Sequence, residues 1–250
     1  MKNIVWIDVG THFAQEHSSV FGSSLGFYAF LCKRFVGGKL LGRGKFVSFH
    51  ELKNIINYRR LIRQGSSNFF TVIIEANPKI ARKKKFYPQA DIFFNLALTD
   101  DHDSSVSIAK LYIGKGGELS EGNSLFHQKD NSKDGNHFAT FGVSSSDFFD
   151  QISLYLDEIF RDYDVLLRLN CEGVEDSVIY SAHRSFGSKL KLVCGSLKDV
   201  KELKGDEADK KLNKFLHDQD LSFVLFSSGI DTWHQAHYSI FKLLDSEGRV

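Results

Sequence analysis

Two short apolar runs that each stop at a carboxylate constrain this chain more than any other feature. They are Ile4-Val5-Trp6-Ile7-Asp8-Val9-Gly10 and Phe70-Thr71-Val72-Ile73-Ile74-Glu75-Ala76-Asn77-Pro78. β-Branched and aromatic residues in unbroken succession, without polar alternation, are the pattern of a parallel strand buried on both faces. Ligands of open α/β sheets bind at the carboxyl edge. A glycine after the first run and a glutamate closing the second suggest a nucleoside cofactor whose ribose hydroxyls are held by Glu75.

Strand and helix patterns alternate along the rest, so one α/β domain over 1–250 is expected. Val20, Phe21, Leu25, Tyr28, Leu31 and Phe35 recur near the helical period and predict a helix over 15–35. Residues 36–50 are glycine-rich and basic, and 51–64 returns to helical spacing with Leu52, Ile55, Ile56 and Ile62, so 36–66 reads as a basic helical insertion. Pro78 suits the first turn of a helix over 78–87. Ile92–Leu98 reads as a third strand and 106–113 as another. Residues 114–136, rich in Gly, Ser, Asn and Asp, read as a long mobile loop or lid. A strand at 138–143, a helix at 147–161 capped by Ser146, and a buried strand at 165–173 follow. A helix at 174–187, a strand at 189–195, a charged helix at 206–219 and strands at 221–227 and 235–243 complete the pattern.

Composition removes several function classes. A formal charge of +1 shows no global nucleic-acid footprint. Cys32, Cys171 and Cys194 are odd in number and lack CxxC spacing, which argues against a disulfide framework or a zinc ribbon and suits a reducing cytoplasm. Asp8 interrupts the N-terminal apolar run too early for a signal peptide, and no stretch reaches the roughly 20 apolar residues of a membrane span.

Asp8-Val9-Gly10, Glu75-Ala76-Asn77-Pro78, Asn95-Leu96-Ala97-Leu98, Gly122-Asn123-Ser124-Leu125 and Arg168-Leu169-Asn170-Cys171-Glu172-Gly173-Val174-Glu175 occur in an order that resembles FkbM-type methyltransferases. The resemblance implies the class I methyltransferase fold. That fold is a doubly wound, seven-stranded, mostly parallel sheet with helices on both faces and an antiparallel strand in the last hairpin. It also implies S-adenosylmethionine as cofactor and a hydroxyl of a sugar, glycan or related metabolite as acceptor. Carried over residue by residue, cofactor contacts fall to Asp8, Gly10, Thr11, His12, Glu75, Ala76, Asn95, Ala97 and Ser124.

Two departures bear on chemistry. Thr11, His12 and Phe13 crowd the turn where the family has small residues. Asn170 stands where the family has an acid and cannot serve as a carboxylate base. Proton removal then falls to Glu172, with Asn170 orienting the acceptor, or to a histidine such as His234. The alternative for Glu172 is a cap on the following helix, for His234 an ordinary place on an edge strand, and for His12 a packing role. Asp100, Asp101, His102 and Asp103 resemble a metal cluster in composition but read as a solvated turn, and no metal is assigned. Arg59, Arg60, Arg63 and the Arg82–Lys85 run read as solvated basic faces. Two other functions stand beside the methyltransferase: a cofactor-binding module without transfer activity, and a nicotinamide-dependent oxidoreductase, against which the missing Gly-x-Gly-x-x-Gly speaks.

Overall fold

The computed structural model describes residues 3–41, 48–64, 68–83, 90–100, 106–114, 116–119, 123–127, 136–226 and 232–249. In chain order the elements are β1 (Asn3–Val9), α1 (Gln15–Phe21), α2 (Ser24–Leu41), α3 (Phe49–Gln64), β2 (Asn68–Ile74), α4 (Pro78–Ala81), β3 (Ile92–Phe94), β4 (Ala97–Thr99), β5 (Val106–Tyr112), β6 (His137–Ser144), α5 (Ser145–Ile159), β7 (Tyr163–Leu169), α6 (Glu175–Phe186), β8 (Leu190–Gly195), α7 (Lys198–Lys204), α8 (Asp206–Asp218), β9 (Ser222–Leu225) and α9 (Thr232–Ser246).

Six strands form a sheet in the order β3-β2-β1-β7-β8-β9, with every neighbouring pair parallel. The two central strands β1 and β7 are buried along nearly their whole length, which is why their sequences lack polar alternation. Successive side chains still point to opposite faces. Val5, Ile7, Val9, Val165, Leu167 and Leu169 pack on one side with Phe149, Ile152 and Leu156 of α5 and Val178, Ile179 and Ala182 of α6. Ile4, Trp6, Leu166, Leu192 and Cys194 pack on the other with Val20 of α1, Ile62 of α3 and Ala236, Ile240, Leu243 and Leu244 of α9. Helices therefore cover both faces, as a doubly wound α/β architecture requires.

The last segment departs from expectation. Residues 235–243 are not a strand but the middle of helix α9, and no antiparallel seventh strand joins the main sheet among the described residues. Trp233, Ala236, His237, Ile240, Leu243 and Leu244 are buried at helical spacing, so packing of that stripe against the sheet decides the element. The apolar run 92–98 divides as well. β3 joins the main sheet, the chain turns at Asn95-Leu96, and β4 enters a second sheet of order β4-β6-β5. The strand expected over 165–173 ends at Leu169, because Glu172 at φ 62 and Gly173 at φ 125 turn the backbone away.

Smaller corrections have local causes. The cap of α5 is Ser144, whose hydroxyl accepts from the Asp147 amide, rather than Ser146. A helix precedes the charged one, α7 over Lys198–Lys204. The helix at Pro78 is a single turn, Pro78–Ala81, and residues 84–87 of the expected span lie outside the described residues. Of the stretch read as an insertion, 36–41 complete α2, 42–47 and 65–66 lie outside the described residues, and α3 packs along α9. Among the described residues no helix is long and apolar enough to cross a membrane.

Candidate functional site

From β1 the sheet proceeds through β2 and β3 to one side and from β7 through β8 and β9 to the other, so the strand order reverses between β1 and β7. Chains leaving such neighbours in opposite directions open a crevice at the carboxyl edge. A shallow cleft, open in part to solvent, lies there. Its polar lining is His12, Glu75, Asn77, Asn123, Asn170 and Glu172, and apolar walls come from Leu96, Leu98, Leu111, Leu125 and Val174.

Glu75 follows β2 directly and is 6% exposed. Its Oε2 accepts the His12 amide at 2.6 Å and its Oε1 accepts the Asn77 amide at 2.7 Å. Burial pushes its carboxyl up to about 7, against the pull of those two amides. Each oxygen spends one lone pair on an amide and keeps one for a ligand. A rigidly held carboxylate with two acceptor sites in a cleft matches two adjacent hydroxyls.

Asp8 has a different role. Its Oδ1 accepts from Arg168 at 2.9 Å and its Oδ2 from the Thr11 hydroxyl at 3.0 Å. Arg168 also donates to the Gly10 carbonyl at 2.9 Å and lies 3.4 Å from Glu16. Burial works against the Arg168 cation, but the carboxylates of Asp8 and Glu16 outweigh it and hold the guanidinium above its usual range. Asp8 and Thr11 are thus sealed under the turn, where they shape it and do not line the cleft. Gly10 does line it, at φ 72, and a Cβ there would meet the Asn170 carbonyl oxygen at 2.1 Å. His12 follows in the left-handed region at φ 52. Backbone strain of this kind persists where surrounding contacts over-determine the turn.

Asn170, Cys171 and Glu172 leave β7 along the cleft wall. Glu175 organises that turn from the first turn of α6, accepting the Cys171 amide at 3.1 Å and the Gly173 amide at 2.9 Å. Glu175 thus holds the turn that precedes α6, no side chain among the described residues caps the helix at Val174, and Glu172 lines the cleft. Burial pushes the Cys171 thiol well above its ordinary range, so it stays protonated at neutral pH. Ser124 is fully buried and donates to the Glu172 carbonyl at 2.7 Å. It positions the turn and does not face the cleft.

The described part of 114–136 is tied to the site. The Asn77 side chain donates to the Glu118 carbonyl at 2.7 Å, the His12 ring bonds the Leu119 carbonyl at 2.9 Å, and Ser124 exchanges backbone hydrogen bonds with Tyr112. His12 and Asn77 therefore hold Glu75 with their amides and this segment with their side chains. Residues 115, 120–122 and 128–135 lie outside the described residues.

Seven residues named from sequence meet in the cleft: Gly10, His12, Glu75, Ala76, Ala97, Asn170 and Glu172. Asn95 is exposed and outside the lining, donating to the Glu75 carbonyl at 2.7 Å. His234 is removed from the site altogether. With 235–243 helical, it sits on α9 beside Asn54 and Tyr58 of α3, in the helical layer on one face of the sheet. Asn77 was missed, although Asn before Pro at a helix start signals a cap, and its side chain does accept the Lys79 amide at 2.9 Å.

The other clusters have structural roles. Asp100 is engaged by Lys204 at 3.1 Å and by the Ser177 hydroxyl, and residues 101–103 lie outside the described residues. Among the described residues no three His, Cys, Asp or Glu side chains converge as a metal site. Arg59 is not on a solvated face. It is buried and caps the end of α1 by donating to the Val20 and Gly22 carbonyls at 2.5 and 2.6 Å. No family model matches the chain, and no curated protein or solved structure is significantly similar to it.

Proposed function

We propose that the chain is an S-adenosylmethionine-dependent O-methyltransferase of the FkbM type, acting on a hydroxyl of a sugar, glycan or related small metabolite. The observation that carries the reading is Glu75, a buried carboxylate at the end of β2 with both oxygens oriented by backbone amides and one lone pair on each still available. It suits the two ribose hydroxyls of an adenosyl group, while Gly10 allows close approach after β1 and Asn170 and Glu172 occupy the β7 side, where an acceptor would meet the methyl end. When bound, the cofactor supplies an activated methyl group on sulfonium sulfur. The chain's part is then to align the acceptor oxygen and take its proton. Glu172 is the carboxylate placed for that proton, and Asn170 can hold the hydroxyl through its side-chain amide. A reducing, cytoplasmic setting belongs to the same reading and is supported by the free thiols of Cys32, Cys171 and Cys194.

One observation favours a second reading. Among the described residues the main sheet is all-parallel, which is also the arrangement in which dinucleotide-binding folds hold nicotinamide cofactors. The turn after β1 lacks their glycines, and α1 spans only Gln15–Phe21.

Calorimetry with S-adenosylmethionine, S-adenosylhomocysteine and the nicotinamide nucleotides separates the two. Glu75→Ala removes two charge-assisted hydrogen bonds, roughly 1.5–3 kcal/mol each, and should weaken adenosyl binding at least tenfold with the fold intact by circular dichroism. Because the ionised carboxylate is the better acceptor, affinity in the parent should rise with pH and level off above about 7. A parent that binds only nicotinamide nucleotides, or a variant that binds S-adenosylhomocysteine as tightly as the parent, refutes the assignment. Binding without transfer to a broad panel of sugars, nucleotide sugars and glycans identifies a non-catalytic binding module instead.

A further inference from the structure

Four hydrogen bonds close a ring around Glu75. Its Oε2 accepts the His12 amide at 2.6 Å, and the His12 ring bonds the Leu119 carbonyl at 2.9 Å. The neighbouring Glu118 carbonyl accepts from the Asn77 side chain at 2.7 Å, and the Asn77 amide returns to Glu75 Oε1 at 2.7 Å. A carbonyl can only accept, so Nε2 of His12 carries a proton. The longer-range bonds span 63, 107 and 41 positions of chain, so the ring forms only when the turn after β1, the end of β2 and residues 116–119 have come together. The backbone of Glu75 is anchored separately, its amide donating to the Phe94 carbonyl at 3.0 Å and its carbonyl accepting from Asn95 at 2.7 Å. What the ring adds is the placement of the carboxylate.

Residues 116–119 reach the site through polar contacts. Gly116, Glu118 and Leu119 are exposed. The Gly117 amide donates to the Gly114 carbonyl at 2.9 Å and the Gly114 amide to the Asn123 side chain at 2.9 Å, while Asn123 donates to the Glu118 carbonyl at 3.3 Å. The Glu118 carboxylate, 3.6 Å from Lys79, is exposed and contributes little. His12, Asn77 and Asn123 all line the cleft, so the backbone they hold forms a strap at its mouth. An exposed segment held by hydrogen bonds rather than by a buried apolar face belongs to the low-stability end of a fold, where a ligand can order it.

We propose that His12 and Asn77 are positioning residues of one latch, through which a ligand on Glu75 and the docked strap 116–119 stabilise each other, so that the strap retains the adenosyl group. The inference rests on the reading of Glu75 as the ribose-binding carboxylate. Two ribose hydroxyls need both carboxylate oxygens in fixed positions, and the amides of residues 12 and 77 orient those oxygens. Docking of the strap fixes the same two residues through their side chains. Each event thus lowers the ordering cost of the other, and such coupling is reciprocal.

The test combines calorimetry of the full chain with S-adenosylhomocysteine and amide exchange at Gly117 followed by nuclear magnetic resonance. His12→Asn keeps a residue that tolerates the left-handed backbone at φ 52, and Asn77→Ser keeps a capping oxygen for the Lys79 amide. Both keep the amide that holds Glu75, and both side chains are too short to reach the strap. Each variant should weaken binding roughly three- to tenfold, the worth of one hydrogen bond, with a melting temperature near the parent's. The double variant should lose less than the product of the two factors, because either break opens the ring. Bound S-adenosylhomocysteine should slow Gly117 exchange about tenfold or more in the parent and less than about threefold in either variant. A residue with a structural role alone would lower the melting temperature and leave that ligand-induced protection unchanged. Variants that bind as tightly as the parent, or keep its ligand-induced protection, overturn the latch and leave Glu75 as the ribose site. So do losses that multiply in the double variant, which would make the two residues independent contacts. A parent that binds no adenosyl ligand overturns the reading of Glu75 and the latch together.

Discussion

Replacing Arg168 by Met removes a cation that sits between two buried carboxylates. Its guanidinium is 2.9 Å from Asp8 and 3.4 Å from Glu16, and the side-chain exposures of the three groups are 5%, 0% and 11%. The same nitrogen that bonds Asp8 also donates to the Gly10 carbonyl. Methionine fills comparable volume, so the cost is electrostatic rather than a cavity. Breaking a buried pair by removing one partner costs about 3–5 kcal/mol, because the remaining charge has no solvent to turn to. Against a typical domain stability of roughly 5–15 kcal/mol this is a large fraction. Urea unfolding at pH 7, followed by fluorescence of the buried Trp6 and Trp233, reads it directly. The double variant Asp8→Asn/Arg168→Met removes the stranded charge at Asp8 and should recover roughly half the loss, a coupling that independent sites would not show. The single variant's loss should also shrink as pH falls toward 5. Removing Arg168 lifts the folded-state pKa of Asp8 further above its unfolded value, so the penalty exists only where the carboxyl is ionised and is relieved on protonation. A loss below about 1 kcal/mol, or strictly additive single variants, would refute the buried pair. Unchanged stability with weakened cofactor binding would instead make Arg168 a cofactor contact.

His17 and His237 are buried, and burial lowers both from their ordinary 6.5 to about 4. The unfolded chain binds more protons between those values, so stability is lost as pH falls from 6.5 to 4, by up to about 3 kcal/mol for each histidine. Glu75, raised from 4.5 to about 7, and Asp8, also raised by burial, act in the opposite sense. The histidine part is therefore read as a difference: between pH 6.5 and 4 the urea midpoint of the parent should fall relative to that of the His17→Gln, His237→Gln variant, and equal slopes in parent and variant would sink the account. Gly10→Ala places a Cβ at 2.1 Å from a backbone oxygen at φ 72 and should cost more than about 2 kcal/mol in unfolding free energy, with a shift at the Asn170 carbonyl in infrared or carbon-13 spectra. A neutral Gly10→Ala would show that the turn relaxes freely.

How much of this could be read from the chain follows from where each signal resides. Short runs of β-branched and apolar residues at 4–7, 71–74 and 165–167, each followed closely by polar or turn residues, read as strands buried on both faces, so the parallel sheet and the carboxylate at Glu75 were legible locally. The split of 92–98 was not, because Asn95-Leu96 is a turn only once Glu75 and β6 are in place to receive the two halves. Residues 235–243 had helical spacing available at Ala236, Ile240 and Leu243, but over nine residues that period competes with alternation, and contact with the sheet and α3 settles it. Asp8, Arg168 and Ser124 look identical in sequence whether they face a ligand or the interior. The tertiary structure sends Arg168 inward, where Asp8 and Glu16 converge from the β1 side, and so makes Asp8 and Thr11, expected to contact a cofactor, supports of the loop after β1. Sequence alone thus determined which segments are buried and which polar residues reach the carboxyl edge, since those depend on local periodicity. Which of those polar groups face the cleft and which are consumed beneath it was decided only by the tertiary structure, because hydrogen bonding and charge compensation are settled between segments far apart in the chain.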